Sequence, residues 1–214
     1  MKILLLGPPG SGKSTQAQRL SEILIYYHIS SGNMIEDQII AGTELGRKIR
    51  GFYDRGELVP DEVVLNMVRP NLEPAGRWIL EGFPRNEVQA RALAEALEKR
   101  GISLSRVIGL EAPDETLTPR IPGRRHSLAT GRTYHLEHAP PPKPQDHTDQ
   151  GPFVRRENGG EGAFRRQLET YHQESEPLIE YYATKGILTT VDARKPIPQI
   201  TENILEILGR VKQG

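Results

Sequence analysis

The chain has 214 residues, which at about 150 residues per domain suits one domain carrying insertions. Lysine plus arginine number 28 and aspartate plus glutamate number 28, so no bulk field draws the chain to nucleic acid or to an anionic membrane. There is no cysteine, which excludes disulfides, thiolate catalysis and a cysteine-ligated zinc, and fits a cytoplasmic setting.

In chain order, Lys2 to Leu6 is a short apolar run stopped by Gly7-Pro8-Pro9-Gly10, as in a fully buried strand. The run is too short for a signal segment, and neither a targeting segment nor a transmembrane span is expected. Ser14 to Tyr26 carries apolar residues at helical spacing (Ala17, Leu20, Ile23, Leu24). Ser31 to Val59 interleaves short helical patterns with glycines 32, 42, 46, 51 and 56. Trp78 to Leu80 is a second buried strand, stopped by Glu81-Gly82-Phe83-Pro84. Asn86 to Arg100 is rich in good helix formers and ends at Gly101. Ser105 to Leu110 and Ile187 to Val191 read as strands, and Ile200 to Val211 as a closing amphipathic helix. This alternation predicts an α/β fold with a parallel sheet covered on both faces. Pro122 to Gly162 breaks the pattern with Pro140-Pro141-Pro142, Gly159-Gly160 and four of the six histidines. A segment of about 40 residues without helices inside a compact domain is often functional. Within it Thr133 to Leu136 and Phe153-Val154 read as small strands.

Gly7 to Ser14 fits G-x-x-x-x-G-K-[ST] between a strand and a helix. Glycines let successive backbone N–H groups turn inward as an anion nest, and the helix start adds its positive dipole end. Gly10, Ser11, Gly12 and Thr15 belong to this cradle, Lys13 can reach the β- and γ-phosphates, and the Ser14 hydroxyl can ligate Mg²⁺. Glu81, an acid ending an apolar strand, is the candidate second Mg²⁺ carboxylate. This points to a nucleoside triphosphate site and leaves the reaction open.

Over nearly its whole length the chain resembles the adenylate kinases, within the nucleoside monophosphate kinases. The resemblance rests on the phosphate loop followed by Thr15-Gln16-Ala17, on Ser30 to Met34 and Gly56 to Glu62, and on Glu81-Gly82-Phe83-Pro84-Arg85. It continues through Gly123-Arg124-Arg125, Gly131 to His135, Pro141-Pro142-Lys143, Pro177-Leu178-Ile179 and Val191-Asp192. It implies a three-layer phosphate-loop core with a central parallel sheet (residues 1–29, 60–121 and 160–214), a small helical monophosphate-binding insertion (30–59) and a small β lid (122–159). The implied reaction is Mg·ATP + AMP ⇌ 2 ADP, by a cytoplasmic monomer with neither nucleic-acid nor membrane partner.

The resemblance also implies roles. Lys13, Arg85, Arg124 and Arg156 would serve catalysis, and Arg120, Arg124, Thr133, Tyr134, Lys195 and Ile197 would hold ATP. Ser31, Glu57, Leu58, Val59, Gly82, Arg85, Gln89 and Arg156 would hold AMP, with Gln89 reading its base. Many relatives bind zinc in the lid, but Ser127 and Thr130 stand at the first two ligand positions and neither suits zinc. A metal-free lid is expected, joined by hydrogen bonds from Ser127 and Thr130 to Asp146 or Asp149.

Several residues depart from the family pattern. Glu36 and Gln167 stand where arginines are expected, Glu81 and Asn33 where aspartates are, Asn158-Gly159 where an acidic pair is, and Ser14 where a glycine is. A lost charge-assisted contact to phosphate is worth roughly 1.5–3 kcal/mol. Two further readings therefore stay open: a nucleotide-binding protein with weak or no phosphotransfer, and a kinase for another monophosphate.

Overall fold

The computed structural model describes residues 1–120, 122–143, 146, 148–154 and 161–210. The chain opens with β1 (Lys2–Leu6), α1 (Lys13–Leu24), β2 (Tyr27–Ser30), α2 (Ser31–Ile40), α3 (Glu44–Arg55) and α4 (Asp61–Val68). It continues with β3 (Trp78–Glu81), α5 (Glu87–Glu98), β4 (Arg106–Glu111) and the short α6 (Asp114–Leu117). Then come β5 (Arg124–Ser127), β6 (Thr133–His135), β7 (Phe153–Val154), α7 (Glu161–Thr170), α8 (Pro177–Thr184), β8 (Leu188–Asp192) and α9 (Ile197–Arg210). A wide helical turn over Tyr171–Ser175 joins α7 to α8.

Five strands form one parallel sheet in the order β2-β3-β1-β4-β8. Alternate side chains of β1 point to opposite faces, so its continuous apolar run serves two cores at once. Leu4 and Leu6 pack with Ile29, Leu80, Phe83, Leu93, Leu97 and Leu178. Ile3 and Leu5 pack on the other face with Ala17, Leu20, Ile108, Leu110, Ile200 and Ile204. Helices α1 and α9 therefore cover one face, while α4, α5 and α8 cover the other. The carboxyl ends of the central strands, where ligands of such sheets bind, are left to build a site.

Local chemistry explains the helix starts. Ser30 Oγ accepts from Asn33 N, Thr43 Oγ1 from Gly46 N and Asn86 Oδ1 from Gln89 N, each satisfying an orphan donor of the first turn. A second sheet, in the order β6-β5-β7, is antiparallel.

The structure corrects the sequence reading at a few edges. The first helix stops at Leu24, because Ile25 adopts a left-handed conformation (φ 56, ψ 51) that ends it. Strands β2 and β5 have no periodic signal of their own: β2 is a short edge strand, and β5 is the polar run Arg124–Ser127. Among the described residues no helix is long and apolar enough to cross a membrane.

Candidate active site

Beyond the carboxyl ends of β1, β2 and β3 lies a cleft of about 720 Å³. Its floor is the loop between β1 and α1. Gly7 has φ +140, and a Cβ there would lie 2.3 Å from Leu110 O, so only glycine lets the loop leave the sheet beside β4. Gly10 and Gly12 also have positive φ, and Gly12 caps α1 without a side-chain bond, leaving the helix start to the loop and its ligand.

Lys13 Nζ folds back to donate to Gly7 O at 2.7 Å and Pro8 O at 2.8 Å. Burial pulls its pKa down to about 7; Glu81 opposes the shift, while Arg85 and Arg124 add to it. Cationic side chains from the phosphate loop, the end of β3 and the antiparallel sheet thus converge on one place. Like charges held this close repel one another, a sign of a site shaped for concentrated negative charge.

Glu81 is 4% exposed at the tip of β3. It accepts from Ser14 Oγ at 3.2 Å and from Ser30 Oγ. His28 Nε2 lies 3.7 Å away. Burial alone would raise its pKa, but His28, Ser30 and Lys13 outweigh burial and hold the carboxyl far below its usual range. An ionised carboxylate beside a hydroxyl at the phosphate end of the cleft is a hard-oxygen set that suits Mg²⁺.

At one end of the cleft, Arg120 donates to Ala193 O at 2.9 Å, and Gln16 Nε2 donates to Ile197 O at 3.0 Å. Arg120 and Ile197, the pair expected at the ATP base, both line the cleft, as does Lys195. His135 Nε2 donates to Arg120 O at 2.9 Å, and its ring lies where a Cβ on Gly123 would sit, 2.4 Å away. That close approach explains the glycine of Gly123-Arg124-Arg125. At the other end Gln89, 2% exposed, lines the cleft with Ser31, Leu58 and Val59.

The small sheet sits over this cleft. Asn33 Nδ2 donates to Gly131 O at 2.9 Å, and Arg132 pairs with Glu22 of α1 at 2.7 Å. Within the sheet Asp149 accepts from Ser127 Oγ at 2.7 Å and Thr130 Oγ1 at 2.6 Å, while Asp146 instead accepts from Lys143 N at 2.9 Å. Asp149, not Asp146, is therefore the joining acid.

Of the residues singled out from the sequence, Gly10, Ser11, Gly12, Lys13, Ser14, Thr15, Ser31, Glu57, Leu58, Val59 and Glu81 line the cleft, as do Gly82, Arg85, Gln89, Arg120, Arg124, Thr133, Tyr134, Lys195 and Ile197. Arg156 and Asn158-Gly159 lie outside the described residues. Tyr53, Phe164, Tyr171 and Ser175 also line it; Ser175 Oγ donates to Arg85 O at 2.6 Å. No motif announces these residues, because they reach the cleft from helices whose sequence registers only packing.

Two departures from the family pattern take on structure. Glu36, expected beside an anion, is instead 4% exposed against the small sheet: Tyr53 OH donates to it and His126 Nε2 lies 3.6 Å away. Its neighbours in space make it a packing contact outside the cleft lining. Gln167 does line the cleft, and neighbouring Arg166 turns away to donate to Arg55 O at 3.0 Å.

A family description reading "Adenylate kinase" matches residues 5–187. The chain belongs to the adenylate kinase family. It is similar to adenylate kinase of Streptomyces coelicolor, with 41% identity over 98% of this chain and 99% of that protein. It is equally similar to adenylate kinase of Archaeoglobus fulgidus, with 41% identity over 99% of this chain and all of that protein. Adenylate kinase of Chloroherpeton thalassium is 41% identical over 97% of this chain. As a member of the adenylate kinase family it is a nucleotide-binding phosphotransferase.

Proposed function

We propose that the chain catalyses reversible phosphoryl transfer between Mg·ATP and AMP, yielding two ADP. The observation that carries this reading is the convergence of Lys13, Arg85 and Arg124 in one cleft that Arg120 and Ile197 line together with Ser31 and Gln89. Phosphoryl transfer needs positioning and charge neutralisation more than covalent chemistry, and cations preset around the transferring group supply both. The loop amides of Gly10 to Thr15 and Lys13 hold the triphosphate. Arg120 and Ile197 sandwich its base, with Thr133, Tyr134 and Lys195 around it. Ser31, Glu57 to Val59, Gly82 and Gln89 receive AMP. Arg85 grips its phosphate, and Arg124, with Arg156, neutralises the group in flight; a guanidinium fork binds phosphate oxygens two at a time.

Mg²⁺ fits beside Ser14 and Glu81, where it would neutralise charge on the triphosphate oxygens. Residues 30–59 act as the AMP-binding insertion and 122–159 as a lid that excludes water from the remaining core. The chain acts as a cytoplasmic monomer without nucleic-acid or membrane partner.

A coupled assay for ADP tests this. AMP with Mg·ATP is expected to outpace GMP, CMP and UMP as acceptor, and Lys13→Met to lower kcat by about 10²–10³-fold. Tight ATP binding with no ADP formed from AMP would refute the reading.

A further inference from the structure

Gln89 has to present a donor and an acceptor to a base, yet a glutamine amide can turn over and exchange them. Here both of its polar atoms are already engaged by the protein. Gln89 Oε1 accepts from the Arg85 backbone N–H at 2.7 Å, and Gln89 Nε2 donates to Asp61 Oδ1 at 2.7 Å. The Arg85 amide can only donate and the Asp61 carboxylate can only accept. The two partners demand the same orientation. A turned amide would set N–H against N–H and oxygen against carboxylate in a place only 2% exposed, where water cannot repair the loss.

Asp61 is itself held. It is the first residue of α4, and Asn86 Nδ2 reaches it at 3.4 Å. The same Asn86 accepts from Gln89 N at 2.8 Å and so starts α5. Two helices from distant parts of the chain meet at this carboxylate.

We propose that Asp61 is a positioning residue that locks the Gln89 amide and thereby sets discrimination between 6-amino and 6-oxo purine monophosphates. This rests on Gln89 facing the acceptor base, as proposed above. The locked amide has one N–H and one carbonyl lone pair left for a ligand. Adenine offers a ring acceptor, N1, beside a donor, the 6-amino group. Hypoxanthine offers the reverse, a ring N1–H beside an acceptor oxygen. An amide free to turn accommodates both; a fixed one accepts the first and rejects the second.

The test is steady-state kinetics with AMP and IMP as acceptors at saturating Mg·ATP. The proteins are the unmodified chain, Asp61→Ala, Asp61→Asn, Gln89→Leu and the Asp61→Ala/Gln89→Leu double variant. Asp61→Ala is expected to lower the AMP-to-IMP ratio of kcat/KM about tenfold, the worth of one hydrogen bond at the upper end of its usual range, with the KM for AMP rising and that for ATP unchanged. Asp61→Asn keeps an acceptor but can also donate, so the ratio falls about threefold; this milder variant also stands in if the alanine variant does not fold. In the Gln89→Leu background the alanine substitution changes the ratio no further, since its partner is gone.

Proportional loss of AMP and IMP activity, at an unchanged ratio, would mean a purely structural Asp61 and overturn the proposal. So would an effect that persists without Gln89, because Asp61 would then meet the base itself. Failure of the underlying reading shows separately, as an unmodified chain that forms no ADP from AMP.

Discussion

Replacing Asp149 by alanine should unfasten the small sheet while leaving the core intact. Its carboxylate accepts from Ser127 Oγ at 2.7 Å, Thr130 Oγ1 at 2.6 Å, Tyr134 OH at 2.8 Å and Gly151 N at 3.1 Å. These donors come from β5, the turn after it, β6 and the approach to β7, so one side chain, 3% exposed, ties the whole sheet. Burial alone would raise its pKa, yet the Thr130 and Ser127 bonds, then Gly151 and Tyr134, bring it down to about 2. Each bond to an ionised acceptor is worth roughly 1.5–3 kcal/mol, but the hydroxyls can turn to water once it is gone, so about 3 kcal/mol in all is expected. That corresponds to about a 100-fold rise in local opening. Native-state hydrogen exchange reads it directly. Amides bonded within the sheet, Ser127 to Arg132 O and Leu128 to Pro152 O, should lose protection, while those of β1 and β3 should not. The sign with pH follows from the depressed pKa: the contribution is full above about pH 4 and is lost as pH falls through about 2. Sheet protection within about threefold of the unmodified protein, or sheet and core loosening together, would show that Asp149 does not tie the sheet.

Ile25 is 90% exposed and is the lone non-glycine residue with positive φ among the described residues, so Ile25→Gly should stabilise by about 1 kcal/mol and raise Tm by roughly 2–4 °C in a calorimetric scan. An unchanged or lower Tm would contradict this. Lys13, with its pKa pulled down to about 7 by burial, should regain its proton when triphosphate arrives. At pH 8, calorimetry in buffers of different ionisation enthalpy should then show close to one proton taken up on ATP binding, and none in Lys13→Met. Glu36→Arg should not restore a phosphate contact: it places a guanidinium in a site 4% exposed beside His126 and Tyr53, and should cost about 3 kcal/mol in a urea melt. A rise in kcat at unchanged stability would show the side chain reaching the cleft after all.

Four of the five central strands and the chemistry at the sheet's edge are legible along the chain. Apolar runs such as Ile3 to Leu6 and Trp78 to Leu80 are legible because both faces of a parallel sheet are covered, so the buried positions along the strand are apolar on both sides. The phosphate loop is legible because a backbone nest needs glycines at fixed places, as Gly7, Gly10 and Gly12 show with their positive φ. Other features depend on partners distant in the chain. Strand β5 exists because β6 and β7 supply its hydrogen bonds, although its own residues are polar. Glu36 reads as a charge facing an anion until α3 and β5 fold around it and turn it into a packing contact. Gln89 reads as a free amide until Asp61, from another helix, takes one of its hydrogens. Local pattern records what a residue is and how often it recurs; which side chains meet across the fold is set by the packing of whole elements, and there the orientation of a carboxylate or an amide is chosen.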